Sequence, residues 1–198
     1  MKELEIGRML RAGTSGFVAG CRVSQLDGPS FGAMIRVPLD DVYQIYGLIY
    51  DIHIDDDGLV RQLVAAEGVQ ENIIADNRFN RNVPIEMSVM SVGYKENGRI
   101  YHLLPPRPAL SLDLIFLCDS DEIREFIGKE RFGYFRHILR ANDLPVGDLL
   151  AAHLMKAKRA YAEAGDETWY DSAVQELIVL LRDDYGTLMN VLNSLAEI

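Results

Sequence analysis

Over the first 118 positions, apolar residues recur in short runs separated by Gly, Pro, Asn and Asp. Runs of this kind between such breakers read as β-strands. The runs predicted as strands are Ile6–Met9, Gly16–Arg22, Met34–Pro38, Gln44–Ile54, Ile85–Tyr94 and Ile115–Cys118. Turns are expected at Leu26–Gly28, Asp55–Gly58 and Glu96–Gly98. The last contains Asn97-Gly98, a pair that tolerates positive φ and favours a tight hairpin. One insertion interrupts the strands. Residues 59–77 read as one or two short helices, with Leu59, Leu63 and Val64 on one face and Ile73 and Ile74 on another.

Near residue 120 the period changes to that of helices. Asp119 followed by Ser120, Asp121 and Glu122 supplies an N-cap and early carboxylates, which suit the positive end of a helix dipole. Helices are predicted at 121–127, 131–141, 145–163, 168–182 and 184–196. They break at Gly128, Asn142-Asp143, Gly165-Asp166 and Asp183-Asp184, and Pro145 sits where a first-turn proline is tolerated. The longer helices carry apolar stripes: Leu149, Leu150, His153, Leu154, Ala157 and Tyr161, then Val174, Leu177, Ile178 and Leu181, then Leu188, Val191, Leu192 and Leu195. Such stripes bury against one another or against a partner. The pattern predicts an α+β chain: an all-β barrel or sandwich of about six strands over 1–120 and an all-helical region over 121–198.

Composition adds limits. The 198 residues are 48% hydrophobic and 25% charged, as in ordinary globular proteins. The net charge is −10. Residues 1–119 hold 11 basic and 16 acidic side chains and residues 120–198 hold 9 and 14, so each part carries −5. No basic arm or acidic tail accounts for the total, and gripping nucleic acid or anionic lipid by bulk charge is not expected. Cys21 and Cys118 lie far apart in apolar runs and are expected to be buried, reduced thiols. Charges at Lys2, Glu3, Glu5 and Arg8 leave no apolar core for a signal peptide, and no apolar stretch is long enough to span a bilayer. A cytoplasmic location is expected.

Catalytic motifs are absent from the sequence. There is no G-x-x-x-x-G-K-[S/T], C-x-x-C, H-E-x-x-H or G-x-S-x-G. The stretch Gly13-Thr14-Ser15-Gly16 has the glycines of a phosphate loop without its lysine, and reads as a turn leading into a strand. His53, His102, His137 and His153 are scattered and read as surface or interface side chains. Two clusters remain. Asp51, His53, Asp55 and Asp57 alternate, so a strand would place them on one face, where carboxylates and an imidazole can hold a divalent cation. A calcium loop is not complete, because Val64 stands where its glutamate belongs. The competing reading is a solvated turn. Arg78, Phe79 and Arg81 combine cations with an exposed aromatic, as partner hot spots and single-strand stacking sites do. Here the competing reading is a self-satisfied polar loop. Leu104-Pro105-Pro106-Arg107-Pro108 is expected to be a stiff, extended connector into the last strand.

In this order the features resemble the HAS-barrel, the small barrel named for the HerA helicase and the ATP synthase catalytic subunits. Ile6-Gly7-Arg8 and Phe17-Val18-Ala19 open the series. Phe31-Gly32-Ala33-Met34-Ile35-Arg36-Val37 resembles the family's x-F-G-x-x-V-x-V step, and Tyr46-Gly47-Leu48-Ile49-Tyr50-Asp51-Ile52 its x-G-x-V-x-D-I step. Val89–Tyr94 with Gly98-Arg99-Ile100 resembles its hairpin, and Pro105–Pro108 with Leu114–Asp121 its ending. In HerA-type translocases an ATPase core with a phosphate loop follows the barrel. Here helices follow, so the resemblance implies a small closed β-barrel over 1–120 with the assembly role and not the motor's, and no catalytic or cofactor residue carries over. It implies an adaptor or regulatory subunit that docks onto a HerA-like ATPase or a NurA-like nuclease, with self-association into a homo-oligomer also open. Two other readings stand beside it. One is a metal-dependent hydrolase using Asp51, Asp55 and Asp57. The other is nucleic-acid binding through Arg78, Phe79 and Arg81, with Arg61 near in sequence.

Overall fold

The computed structural model describes residues 3–25, 28–55, 58–80, 83–128, 132–142 and 144–197. The expected turns at 26–28 and 55–58, and the side chains of Asp57 and Arg81, fall wholly or partly outside that set.

Seven strands form one sheet: β1 (Leu4–Ala12), β2 (Gly16–Cys21), β3 (Met34–Pro38), β4 (Tyr43–His53), β5 (Ile85–Glu96), β6 (Arg99–Tyr101) and β7 (Leu114–Leu117). The hydrogen-bonded order is β2-β1-β7-β3-β4-β5-β6, and β2 pairs back onto β5 from Gly16↔Met90 to Cys21↔Ile85. That pairing closes a six-stranded antiparallel barrel and leaves β6 as a short extension of β5. All six sequence-predicted strands are present. The tight turn at Asn97 (φ 51°) and Gly98 (φ 77°) joins β5 to β6, a three-residue strand that the apolar runs did not mark.

The strands do not alternate strictly, because bulges reset their phase. Tyr43, Ile45 and Ile49 of β4 face the barrel core, as does the partly buried Ile52. The change from odd to even follows the extra residue Tyr50, set between the pairs Ile49↔Val89 and Asp51↔Ser88. In β5, Ile85, Met87 and Val89 face inward, Val92 is the extra residue, and Tyr94 then packs against the same core. Bulges of this kind bend strands sharply enough to close a narrow barrel.

Helices α1 (Leu59–Ala65) and α2 (Glu71–Phe79) form the insertion between β4 and β5. After β7 come α3 (Ser120–Ile127), α4 (Phe135–Leu139), α5 (Val146–Glu163), α6 (Trp169–Leu180) and α7 (Tyr185–Ala196). The Asp119 carboxylate accepts from Glu122 N (2.9 Å) while the Glu122 carboxylate accepts from Asp119 N (3.0 Å), a reciprocal cap on α3. The helix predicted over 131–141 is shorter than expected. Phe132 has φ 61°, a left-handed conformation that cannot continue into a helix, and α4 starts only at Phe135.

The barrel encloses one apolar core. A second core lies outside it, where Met34, Tyr46, Leu48, Met90, Val92 and Ile100 meet the helices. Within this seam Phe126 of α3 packs on Tyr46 (ring centroids 4.6 Å), His102 (4.7 Å) and Tyr134 (5.7 Å). Gly93 makes this approach possible: a Cβ there would lie 2.8 Å from the Phe126 ring and 2.5 Å from Tyr101 O. Gly32, at φ 75°, brings the loop before β3 against α5, where a Cβ would lie 2.6 Å from Ala152 Cβ. Beside it Lys156 Nζ donates to Ser30 Oγ (2.8 Å). The predicted stripe of α5 is buried here, with Leu149, Leu150, His153, Leu154 and Ala157 all in this core.

Candidate functional site

The first candidate sits where β4 ends and β5 begins. The antiparallel register places His53 opposite Glu86. His53 Nδ1 lies 3.3 Å from Asp51 Oδ2, and Nε2 lies 3.8 Å from both Asp55 Oδ2 and Glu86 Oε2. One ligand atom each from His53, Asp55 and Glu86 falls within 4.8 Å of the others. A borderline or hard divalent cation accepts such an imidazole and carboxylate set. Asp51 meets the other nitrogen of the ring, as an orienting carboxylate does. Glu86 is the member that sequence reasoning missed. Its signal is the pairing register, set by the long β4–β5 ladder and not by local spacing. The group is solvated: Asp51 and Asp55 are exposed and His53 is half-buried. Arg11 also reaches Glu86 (3.5 Å) and competes for its charge.

The second candidate is the insertion. None of the residues of α1 or α2 is buried. Leu59, Ile73 and Ile74 are more than two-fifths exposed, Phe79 is 64% exposed and Val64 is 82% exposed. Arg78 lies with its guanidinium 5.7 Å from the centroid of the Phe79 ring, so this predicted pair is together at the end of α2. The chain beyond it turns on polar bonds. Asn80 N and Asn80 Nδ2 both donate to Asp76, and Asn77 Nδ2 donates to Ile73 O. Polar bonds within α2 and at its C-cap and an exposed aromatic are therefore both present among the described residues, while Arg81 and Asn82 lie outside them.

The histidines are expected as surface or interface side chains, and two of them lie between packed elements. His102 and His153 are buried. His102 Nε2 meets Phe126 O (3.0 Å), while His102 O is shared by His137 Nε2 (3.0 Å) and the Arg136 guanidinium. His153 Nε2 meets Tyr134 Oη (2.9 Å) at the centre of the seam. Burial pushes the His153 pKa down to about 4, with Lys156 adding to the effect, so the ring is neutral at neutral pH. His153 joins α5 to Tyr134 at the start of α4, and His102, just after β6, ties helices to barrel. Arg36 does so with charge: Nη2 donates to Glu3 Oε1 (2.6 Å), Nε pairs with Glu122 Oε1 (2.5 Å), and the guanidinium lies over the Phe116 ring.

Cys21 and Cys118 are free and buried, as expected. Burial raises both thiol pKa values, so neither is a thiolate at neutral pH. Among the described residues no helix is long and apolar enough to cross a membrane. Set against models of protein families and against curated proteins, the chain matches none.

Proposed function

We propose that the chain is a non-catalytic docking and assembly module, an adaptor or regulatory subunit for a HerA-like ATPase and nuclease system that processes DNA. The closed six-stranded barrel supports the resemblance of residues 5–122 to the HAS-barrel, whose role in HerA-type rings is assembly and partner docking. The observation that carries the reading is the division of apolar surface on that barrel. One outer face is covered by the chain's own helices, while the insertion holds out Val64, Ile73, Ile74 and Phe79 with no core of its own. Exposed apolar side chains, and an aromatic with an arginine over its ring, are what a partner surface buries first. The partner assigned to this surface is the barrel ring of a HerA-like ATPase.

The test is size-exclusion chromatography of the purified chain mixed with the HerA-like ATPase, and separately with the NurA-like nuclease, of the same organism. A complex with the ATPase that Ile74→Ser and Phe79→Ser abolish, with unchanged melting temperature, is the expected result. Separate elution from both proteins at micromolar concentration overturns the reading.

A second reading has one observation in its favour, the convergence of His53, Asp55 and Glu86. It is a metal-dependent hydrolase in which these ligands and Asp51 hold a divalent ion that activates water. Calorimetry with Mg²⁺, Mn²⁺ and Zn²⁺ decides it, because the absence of heat at millimolar metal leaves no such centre.

A further inference from the structure

Between the β1–β2 turn and α4 runs an open cleft of about 1050 Å³. One wall is the glycine turn singled out in the sequence, Gly13 to Gly16, closed by Gly13 N donating to Gly16 O (2.8 Å). The other wall is α4 and the residues after it. The cleft is electrostatically unlike the rest of the protein. Asp and Glu make up 30 of the 198 residues. Among the described residues that line the cleft there is no carboxylate, whereas Arg11, Arg136, Arg140 and His137 all line it. One strand, β1, and the distant helix α4 thus deliver three arginines to one concavity in a chain of net charge −10.

These side chains differ in what they are already doing, and burial lowers the pKa of His137, which leaves the arginines as the charges. Arg136 and His137 are held by His102 O, which fixes their place beside the cleft. Arg11 leans on Glu86 at 3.5 Å with its side chain still largely exposed. Arg140 follows α4, is exposed, and makes no ion pair among the described residues. Serines complete the lining, Ser15 of the turn and Ser88 and Ser91 of β5. Ser91 is 1% exposed and its Oγ has no hydrogen-bond partner. A buried hydroxyl left unpaired costs stability, and nearly all such groups in folded proteins find a partner. Ser91 belongs to the same lining as the arginines, with its hydroxyl enclosed.

We infer that this cleft binds the phosphate group of a small molecule, of up to nucleotide size. Arginine forks and hydroxyl donors are the groups that recognise phosphate oxygens. A cavity of this volume exceeds what a single phosphate needs and falls in the range of sites for small ligands. The apolar side of the lining, with Tyr50, Leu104 and Leu144, offers contact to the rest of such a molecule. The inference is independent of the docking surface, which lies on the insertion.

The experiment is calorimetric titration of the full chain with pyrophosphate, with ADP and with a single-stranded DNA 12-mer, each at low and moderate salt. Saturable one-to-one binding of pyrophosphate or ADP is expected, weakened about tenfold or more by Arg140→Glu, which removes a charge-assisted contact and leaves the fold intact. Ser91→Ala separates a ligand role from a packing role. It is expected to raise the melting temperature, since it deletes an unpaired buried hydroxyl, and at the same time to weaken pyrophosphate binding. Three results overturn the inference: no saturable binding of either small phosphate at about 10 mM, binding that Arg140→Glu and Ser91→Ala leave unchanged, or binding of the 12-mer alone.

Discussion

The seam between barrel and helices and the insertion between β4 and β5 use similar residues to opposite ends. Both contain short helices rich in Leu, Ile, Val and Phe. In the seam, Phe126, Leu149, Leu154 and Leu177 are fully buried against strands that present Tyr46 and Leu48 outward. In the insertion, Val64, Ile73, Ile74 and Phe79 face solvent. The difference lies in what each helix has to pack on. Strands β3, β4 and β5 offer a broad apolar outer face to α3 and α5, whereas α1 and α2 have seven and nine residues and no second layer above them. Short helices gain little from their own backbone bonds, so tertiary burial decides their stability. One region is therefore structural and the other is available.

Substitutions at the two regions should separate by size of effect. The largest is Phe126→Ala, which empties the aromatic centre of the seam and is expected to cost about 3–5 kcal/mol, read by urea unfolding. Loss of less than about 1 kcal/mol would mean that the seam is not the stabilising contact described here.

Next is acid. His153 titrates near 6.5 when unfolded and near 4 when folded, because the buried ring resists charge. Its neutral form is favoured by the fold, so no penalty exists above pH 6.5. The unfolded chain binds the extra proton as pH falls, and the penalty grows until about pH 4. Stability is expected to drop by about 2 kcal/mol from this group between pH 7 and pH 5. His153→Gln keeps a partner for Tyr134 and should flatten that part of the pH dependence, which unfolding curves at the two pH values would reveal. An equal drop in the variant would assign the acid sensitivity elsewhere.

Two glycines sharpen the contrast. Gly32 and Gly68 both have positive φ, at 75° and 69°. At Gly32 a Cβ would also strike α5, whereas at Gly68, between α1 and α2, nothing lies within 4 Å. Gly32→Ala is expected to cost about 2–3 kcal/mol, from strain and overpacking together. Gly68→Ala should cost about 1 kcal/mol, from strain alone. Thermal melts of the pair test whether the loop before β3 is clamped to the helix.

The smallest expected effect is in the insertion itself. Ile74→Ser and Phe79→Ser should change stability by no more than about 0.5 kcal/mol, as substitutions at exposed positions usually do. A loss above about 2 kcal/mol would show that these side chains support the fold rather than face a partner.

Much of the architecture was legible in the sequence. All six barrel strands follow from apolar runs bounded by Gly, Pro, Asn and Asp. The Asn97-Gly98 turn and the Asp119–Glu122 cap are local signals, because their chemistry is complete within four residues. Phe132 was not legible. A residue with helical neighbours gives no sign that it will adopt φ 61°, and its ring stacks on Phe135 and meets Trp169, contacts that only the folded chain supplies. The acidic site was half legible. Asp51, His53 and Asp55 share a spacing, but Glu86 joins them through the register of a ladder whose partner lies more than thirty residues away. His102 escaped for a similar reason, since polar side chains enter a core only when distant groups satisfy them, whereas His153 was marked by its place in the apolar stripe of α5.

By itself the sequence determined the order and kind of the elements, the even charge of −5 on each part, and the lack of a nucleotide-hydrolase loop. Those properties depend on residue type and near spacing, which every chain segment carries with it. The tertiary structure decided which apolar faces are used and which are left open. It also decided that bulges at Tyr50 and Val92 reset the strand phase, and that Arg11, Arg136, Arg140 and Ser91 share one cleft. Such outcomes depend on closure of the barrel, where pairing between distant strands fixes every neighbour at once.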